Sequence, residues 1–130
     1  MTYNEATLHY FRTAPGAGVL CGPEVFRGAA GSRRLGTWVQ FDVQADAGAI
    51  IAARFLAFGC PHTVAAAAWI VEQAAGRPVR VELPESVQAL SDRFAVPVDK
   101  RGRLLIIEDA WAAALQVALQ SLCPHIPGKA

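Results

Sequence analysis

The 130-residue chain lacks an excess of charge of either sign: 12 Lys and Arg offset 11 Asp and Glu, leaving a formal net charge of +1. That balance supplies neither a basic tract for nucleic acid nor an acidic tail. Paired cysteines are lacking too. Cys21, Cys60 and Cys123 are odd in number and show no C-x-x-C spacing, so free thiols in a reducing compartment are expected, and neither a disulfide framework nor a zinc ribbon. No apolar run reaches the ~18 to 20 residues of a membrane span, because Arg54, Glu72, Glu108 and Asp109 interrupt the most apolar stretches. The Met1 to Tyr10 opening carries Asn4, Glu5 and His9 where a secretory signal would have a cationic start and an apolar block. A glycine-rich phosphate loop and a Ser, His and Asp triad are both missing. These absences lead us to expect one cytoplasmic domain over residues 1–130 without nucleic-acid or membrane partners, and they leave an independent hydrolase or nucleotide enzyme unsupported.

What the chain does have is apolar content, 53% of its residues, arranged with changing period. Thr2 to Phe11 places Tyr3, Ala6, Leu8 and Phe11 in a helical rhythm that Pro15, Gly16 and Gly18 end. From Ala17 to Gly36 small residues and glycine predict irregular backbone, with a weak strand candidate at Val19 to Phe26 broken by Gly22 and Pro23. Trp38 to Gln44 then alternates polar and apolar as a half-buried strand does, Asp46-Ala47-Gly48 supplies a turn, and Ala49 to Phe58 follows. This is an antiparallel hairpin, and its more apolar outgoing strand is expected to be the more buried. Pro61 opens a helix with Val64, Ala68 and Val71 on one face, closed by Gly76 and Pro78. A short helix is predicted from Pro84, with Val87, Leu90 and Phe94 at core spacing until Pro97. Leu104, Ile107, Trp111, Leu115, Ala118 and Leu122 then form a stripe ended by Pro124. A hairpin followed by helices is α+β: a small antiparallel sheet packed against helices.

Cys60 is the cysteine whose setting predicts reactivity. Gly59-Cys60-Pro61 puts it at a helix N-cap, where unpaired N–H groups and the positive end of the dipole favour a thiolate. The other reading is a small buried hydrophobe filling a strand–helix corner. His62 is a ligand or base near the sulfur, or more simply an exposed first-turn histidine. His9 is expected to face water. Arg33 and Arg34 precede the first clear strand, Arg101 and Arg103 precede the long helix, and together they would form an anion-receptive rim or remain solvated. Cys123 and His125 are two donors without two more, too few for a metal centre.

In order, these features resemble the NifU/IscU-type iron–sulfur cluster assembly scaffold family over nearly the whole chain. The carriers are Tyr3-Asn4-Glu5 through His9-Tyr10, Pro15 with Gly18, Phe58-Gly59-Cys60 with the alanine-rich helix after it, Lys100, and Glu108-Asp109-Ala110. The resemblance implies a SufE/NifU-like fold and Cys60 in the position of the second of three cluster-ligand cysteines. The first, with its glycine and aspartate, corresponds to Leu35-Gly36-Thr37, and the third, with its preceding histidine, to Gly102-Arg103. The family's chaperone-recognition stretch is reduced to Val96-Pro97-Val98-Asp99-Lys100, which weakens the implied Hsp70-type chaperone contact. A cysteine desulfurase partner, a homodimer and an iron–sulfur cluster are the remaining implications. Such clusters want about four thiolate-type ligands, and Cys60 alone supplies one. Cys60 is therefore read as the surviving cluster, metal or sulfur ligand; the alternatives are a persulfide acceptor for a desulfurase and a regulatory paralogue without a cluster.

Overall fold

A computed structural model describes residues 3–122. The elements run α1 (Glu5–Thr13), β1 (Val25–Ser32), β2 (Thr37–Asp46), β3 (Ala49–Phe58), α2 (Pro61–Ala74), α3 (Val87–Arg93), a 3-10 turn (Val98–Lys100) and α4 (Gly102–Leu122). The strands form one antiparallel sheet in the order β1-β2-β3. The architecture is α+β, as the run of strands followed by helices predicts. The Cys123, Pro124 and His125 readings lie outside the described residues.

Side-chain alternation on β2 organises the interior. Val39, Phe41 and Val43 are fully buried on one face, where Phe41 meets the Trp111 ring edge-on at 5.2 Å. β3 contributes Ala53 and Phe55 to that face, α2 covers it along β3, and α4 covers it along β1 and β2. α1 in turn packs on α2. The opposite face pairs Trp38 with Phe58, Gln40 with Leu56 and Asp42 with Arg54. Asp42 is only 1% exposed there, and it accepts from Arg27 Nε at 2.7 Å, Arg27 Nη2 at 2.9 Å and the Leu20 amide at 2.9 Å. Burial alone would raise the Asp42 carboxyl, but Arg27 and the Leu20 N–H outweigh it and hold the carboxyl below its usual value.

Two sequence expectations give way. The glycine-rich stretch contains a full strand, β1, registered on β2 from Val25↔Gln44 to Ser32↔Thr37. Its Gly28 is there because α4 leaves no room for more: a Cβ at that position would lie 2.1 Å from the Ala114 amide nitrogen. The more buried strand of the hairpin is the incoming one, because β1 flanks β2 and makes it central while β3 is an edge. That edge is partly satisfied, since the Phe55 amide donates to Gly16 and its carbonyl accepts from Gly18.

Helix boundaries follow their caps. Asn4 accepts from the Thr7 amide to start α1, three residues later than the rhythm predicts, and the buried member of its inner face is Thr7 while Phe11 is exposed. Ser86 accepts from the Ala89 amide and starts α3 beyond Pro84. Contrary to the expectation from Glu108 and Asp109, Val98–Ser121 is long and apolar enough to cross a membrane by length and composition, since those two acids stand in a stretch otherwise rich in Leu, Ile and Ala. Burial of Leu104, Ile107, Trp111, Leu115 and Ala118 against the sheet accounts for that apolar character.

Candidate functional site

β3 ends at Phe58, and the chain turns through Gly59 into Cys60, whose extended backbone (φ −77°, ψ 169°) makes it the N-cap of α2 with Pro61 at the first helical position. Its carbonyl accepts from the Thr63 and Val64 amides at 2.9 and 3.2 Å, so the corner is fixed by backbone. Gly59 permits the turn to close, because a Cβ there would lie 3.1 Å from the Thr63 hydroxyl.

The Cys60 thiol is half-buried, with Sγ 3.6 Å from Thr63 Oγ1 and 3.9 Å from His62 Nδ1. Burial pushes the thiol up, but the Thr63 amide, the Thr63 hydroxyl and the Arg103 guanidinium outweigh it and hold the thiol below its usual value. The result is a thiolate-favouring sulfur at a helix start. His62 is not the exposed first-turn residue of the simpler expectation: it is 2% exposed, capped by the Tyr3 ring with centroids 4.8 Å apart. Burial, then the charges of Lys100 and Arg103, lower its pKa below the ordinary histidine value, which leaves a neutral imidazole beside the sulfur at pH 7.

The positions aligned with the two substituted ligand regions come to the same end of the sheet. Leu35 is 70% exposed in the β1–β2 turn, and Thr37, 2% exposed, starts β2 next to Trp38, the partner of Phe58. Gly102 starts α4 and Arg103 follows, within reach of the thiol. The four arginines have different surroundings. Arg103 lies against Cys60, Arg33 sits over the Phe58 ring at 5.4 Å, Arg34 is exposed in the same turn, and Arg101 donates from Nε to the Ser91 hydroxyl at 2.9 Å. His9 is exposed, as expected. Cys21 is exposed ahead of β1, near Arg27 in mid-sheet.

Thr63 is the site residue the sequence reading missed. A hydroxyl three residues after an N-cap faces back toward the cap, and that spacing was its available signal.

As a metal-binding set the corner is poor. It offers one thiol and one imidazole, with the cations Arg103 and Lys100 close by, and no group of three His, Cys, Asp or Glu among the described residues is placed to hold a metal. The donors that the described residues bring together here are too few for an iron–sulfur cluster. The arrangement suits an anionic sulfur instead: a thiolate or persulfide would meet an amide, a hydroxyl and a guanidinium.

Comparison with known proteins agrees with the fold. The family described as the NifU-like N terminal domain matches residues 2–117. Among solved structures, one similar to this chain is the N-terminal part of a nitrogen-fixing NifU-like protein from Brucella abortus, with a TM-score of 0.71, 15% identity, and coverage of 90% of this chain and 94% of that one. Another is an iron–sulfur cluster assembly scaffold protein for the SUF system from Fervidobacterium islandicum AW-1, with a TM-score of 0.62, 19% identity, and coverage of 90% and 96%. No curated protein matches by sequence.

Proposed function

Since the chain belongs to the NifU-like N-terminal domain family, we propose that it serves iron–sulfur cluster assembly as a sulfur acceptor, with Cys60 as the accepting thiol and a cysteine desulfurase as donor. The observation that carries this reading is the surroundings of Cys60: a helix-capped sulfur with Arg103 and Thr63 around it and, among the described residues, no second cysteine beside it.

The transfer balances without an external oxidant. The Cys60 thiolate attacks the outer sulfur of a protein persulfide on the donor; a new S–S bond forms at Sγ as the donor's S–S bond breaks, and the donor cysteine leaves as a thiolate. The transferred sulfur keeps its proton or releases it to water, and the resulting persulfide anion lies one bond beyond Sγ. Arg103 and the α2 N-terminus favour that charge. His62, neutral and buried, supplies a hydrogen-bonding ring at the sulfur without adding charge. Lys100 adds a second cation near His62.

Incubation with a desulfurase and cysteine should add the mass of one sulfur atom to the Cys60 peptide, and Cys60→Ser should abolish the addition. Unmodified Cys60 while the donor turns over would overturn the reading. Anaerobic exposure to iron and sulfide tests the cluster-ligand alternative, which would be supported if the wild type binds iron and sulfide that Cys60→Ser does not.

A further inference from the structure

The total charge of +1 hides an uneven distribution. Three segments build the Cys60 end of the molecule: 29–41 around the β1–β2 turn, 54–64 from β3 into α2, and 96–106 from the 3-10 turn into α4. They carry Arg33, Arg34, Arg54, Lys100, Arg101 and Arg103 against one acid, Asp99, and the start of α1 adds Glu5. Arg33, Arg34 and Arg54 are exposed, so their charge is presented to solvent.

Apolar surface lies inside this cationic rim. Leu56 is 37%, Phe58 44% and Leu35 70% exposed, and half-buried Trp38 is paired with Phe58 on the outer face of the sheet. The chain entering β1 meets that face nearer its middle, where the Leu20 amide reaches Asp42, and stops short of the Trp38 and Phe58 end. Arg33 lies over the Phe58 ring and joins rim to centre. An apolar, aromatic centre within a polar rim is the anatomy of a protein interface, and here the rim carries one sign.

Cys60 stands two residues beyond Phe58, so the surface is continuous with the sulfur site. A sulfur carried on another protein comes within bonding distance of Sγ only if that protein seats on this end. Resting on the sulfur-acceptor reading, we propose that the Trp38, Leu56 and Phe58 surface with its arginine rim is the docking face for the sulfur donor, which meets it with an apolar contact ringed by Asp and Glu. Opposite charge steers the encounter, and the apolar centre sets how long the complex lasts.

The test measures binding of the full chain carrying Cys60→Ser to the cysteine desulfurase of the same organism, so that docking is read without sulfur transfer. The association rate should fall about tenfold between about 50 and 500 mM salt. Arg33→Glu with Arg34→Glu should lower it at least about tenfold at low salt. Arg12→Glu with Arg80→Glu changes the net charge equally at exposed positions elsewhere, and should lower it no more than about twofold. Phe58→Ser should instead speed dissociation about tenfold. Absent binding, indifference to salt, equal losses in the two arginine pairs or unchanged dissociation of Phe58→Ser overturns the inference. So does rim-dependent binding to a DNA duplex or to phosphatidylglycerol vesicles in place of the desulfurase. Docking as described without sulfur uptake by wild-type Cys60 strikes the acceptor reading alone; uptake from limiting desulfurase that Arg33→Glu with Arg34→Glu leaves unchanged strikes the docking face alone.

Discussion

Cys60 owes its character to neighbours of different origin: Thr63 from its own helix and Arg103 from the start of α4. Burial opposes both, so removing either should let the thiol rise. Alkylation of Cys60 against pH should have its midpoint below the ordinary thiol value of about 8.5, and Arg103→Met should move that midpoint upward and slow alkylation at pH 7. An unchanged profile would remove Arg103 from the account of the thiol. At this scale the sequence was partly legible. Glycine before and proline after Cys60 announce an N-cap, because each has a backbone role there. Burial of His62 under Tyr3 was not legible, since it depends on where α1 lies, and the Arg101 contact with Ser91 depends on α3.

Between elements, the contact of β1 with α4 is the tightest constraint. Gly28 faces the Ala114 backbone with no room for a methyl group. Gly28→Ala should therefore destabilise the protein by about 3 kcal/mol, the upper range for overpacking a core, as measured by urea unfolding; a loss under about 1 kcal/mol would mean that α4 yields. The same contact explains why β1 was hidden in the sequence. A glycine inside a strand reads as a breaker, and the reason it is tolerated comes from a helix some 80 residues later in the chain. The hairpin was readable because Val39, Phe41 and Val43 alternate with polar residues, a pattern local to β2. Which strand of that hairpin is central was not readable, because centrality is conferred by β1.

Across the whole molecule, two buried titrating groups fix the response to acid. His62 has a lowered folded pKa, so its neutral form contributes fully above about pH 6.5, and stability falls as the pH drops through that folded value. Asp42 is also lowered, so its contribution is full above about pH 4 and is lost on further acidification through its folded value. Thermal unfolding should accordingly show two losses, one starting near neutrality and one in strong acid. His62→Phe should remove the first and Asp42→Asn the second, the latter with a drop of several degrees at neutral pH. A single acid transition unaffected by His62→Phe would contradict the assignment.

Trp38 gives the molecule an optical property tied to its geometry. Trp69 is 6% and Trp111 1% exposed, whereas Trp38 is half-buried on the outer face, opposite Phe58, the strand end that lies two residues before Cys60. A collisional quencher such as acrylamide therefore reaches one indole in preference to the other two, and the quenchable fraction of the emission comes from the end of the sheet that carries the thiol. Anything that seats over that end shades Trp38 and leaves the remaining light unchanged, so the chain reports occupation of the Cys60 end of its sheet without a label.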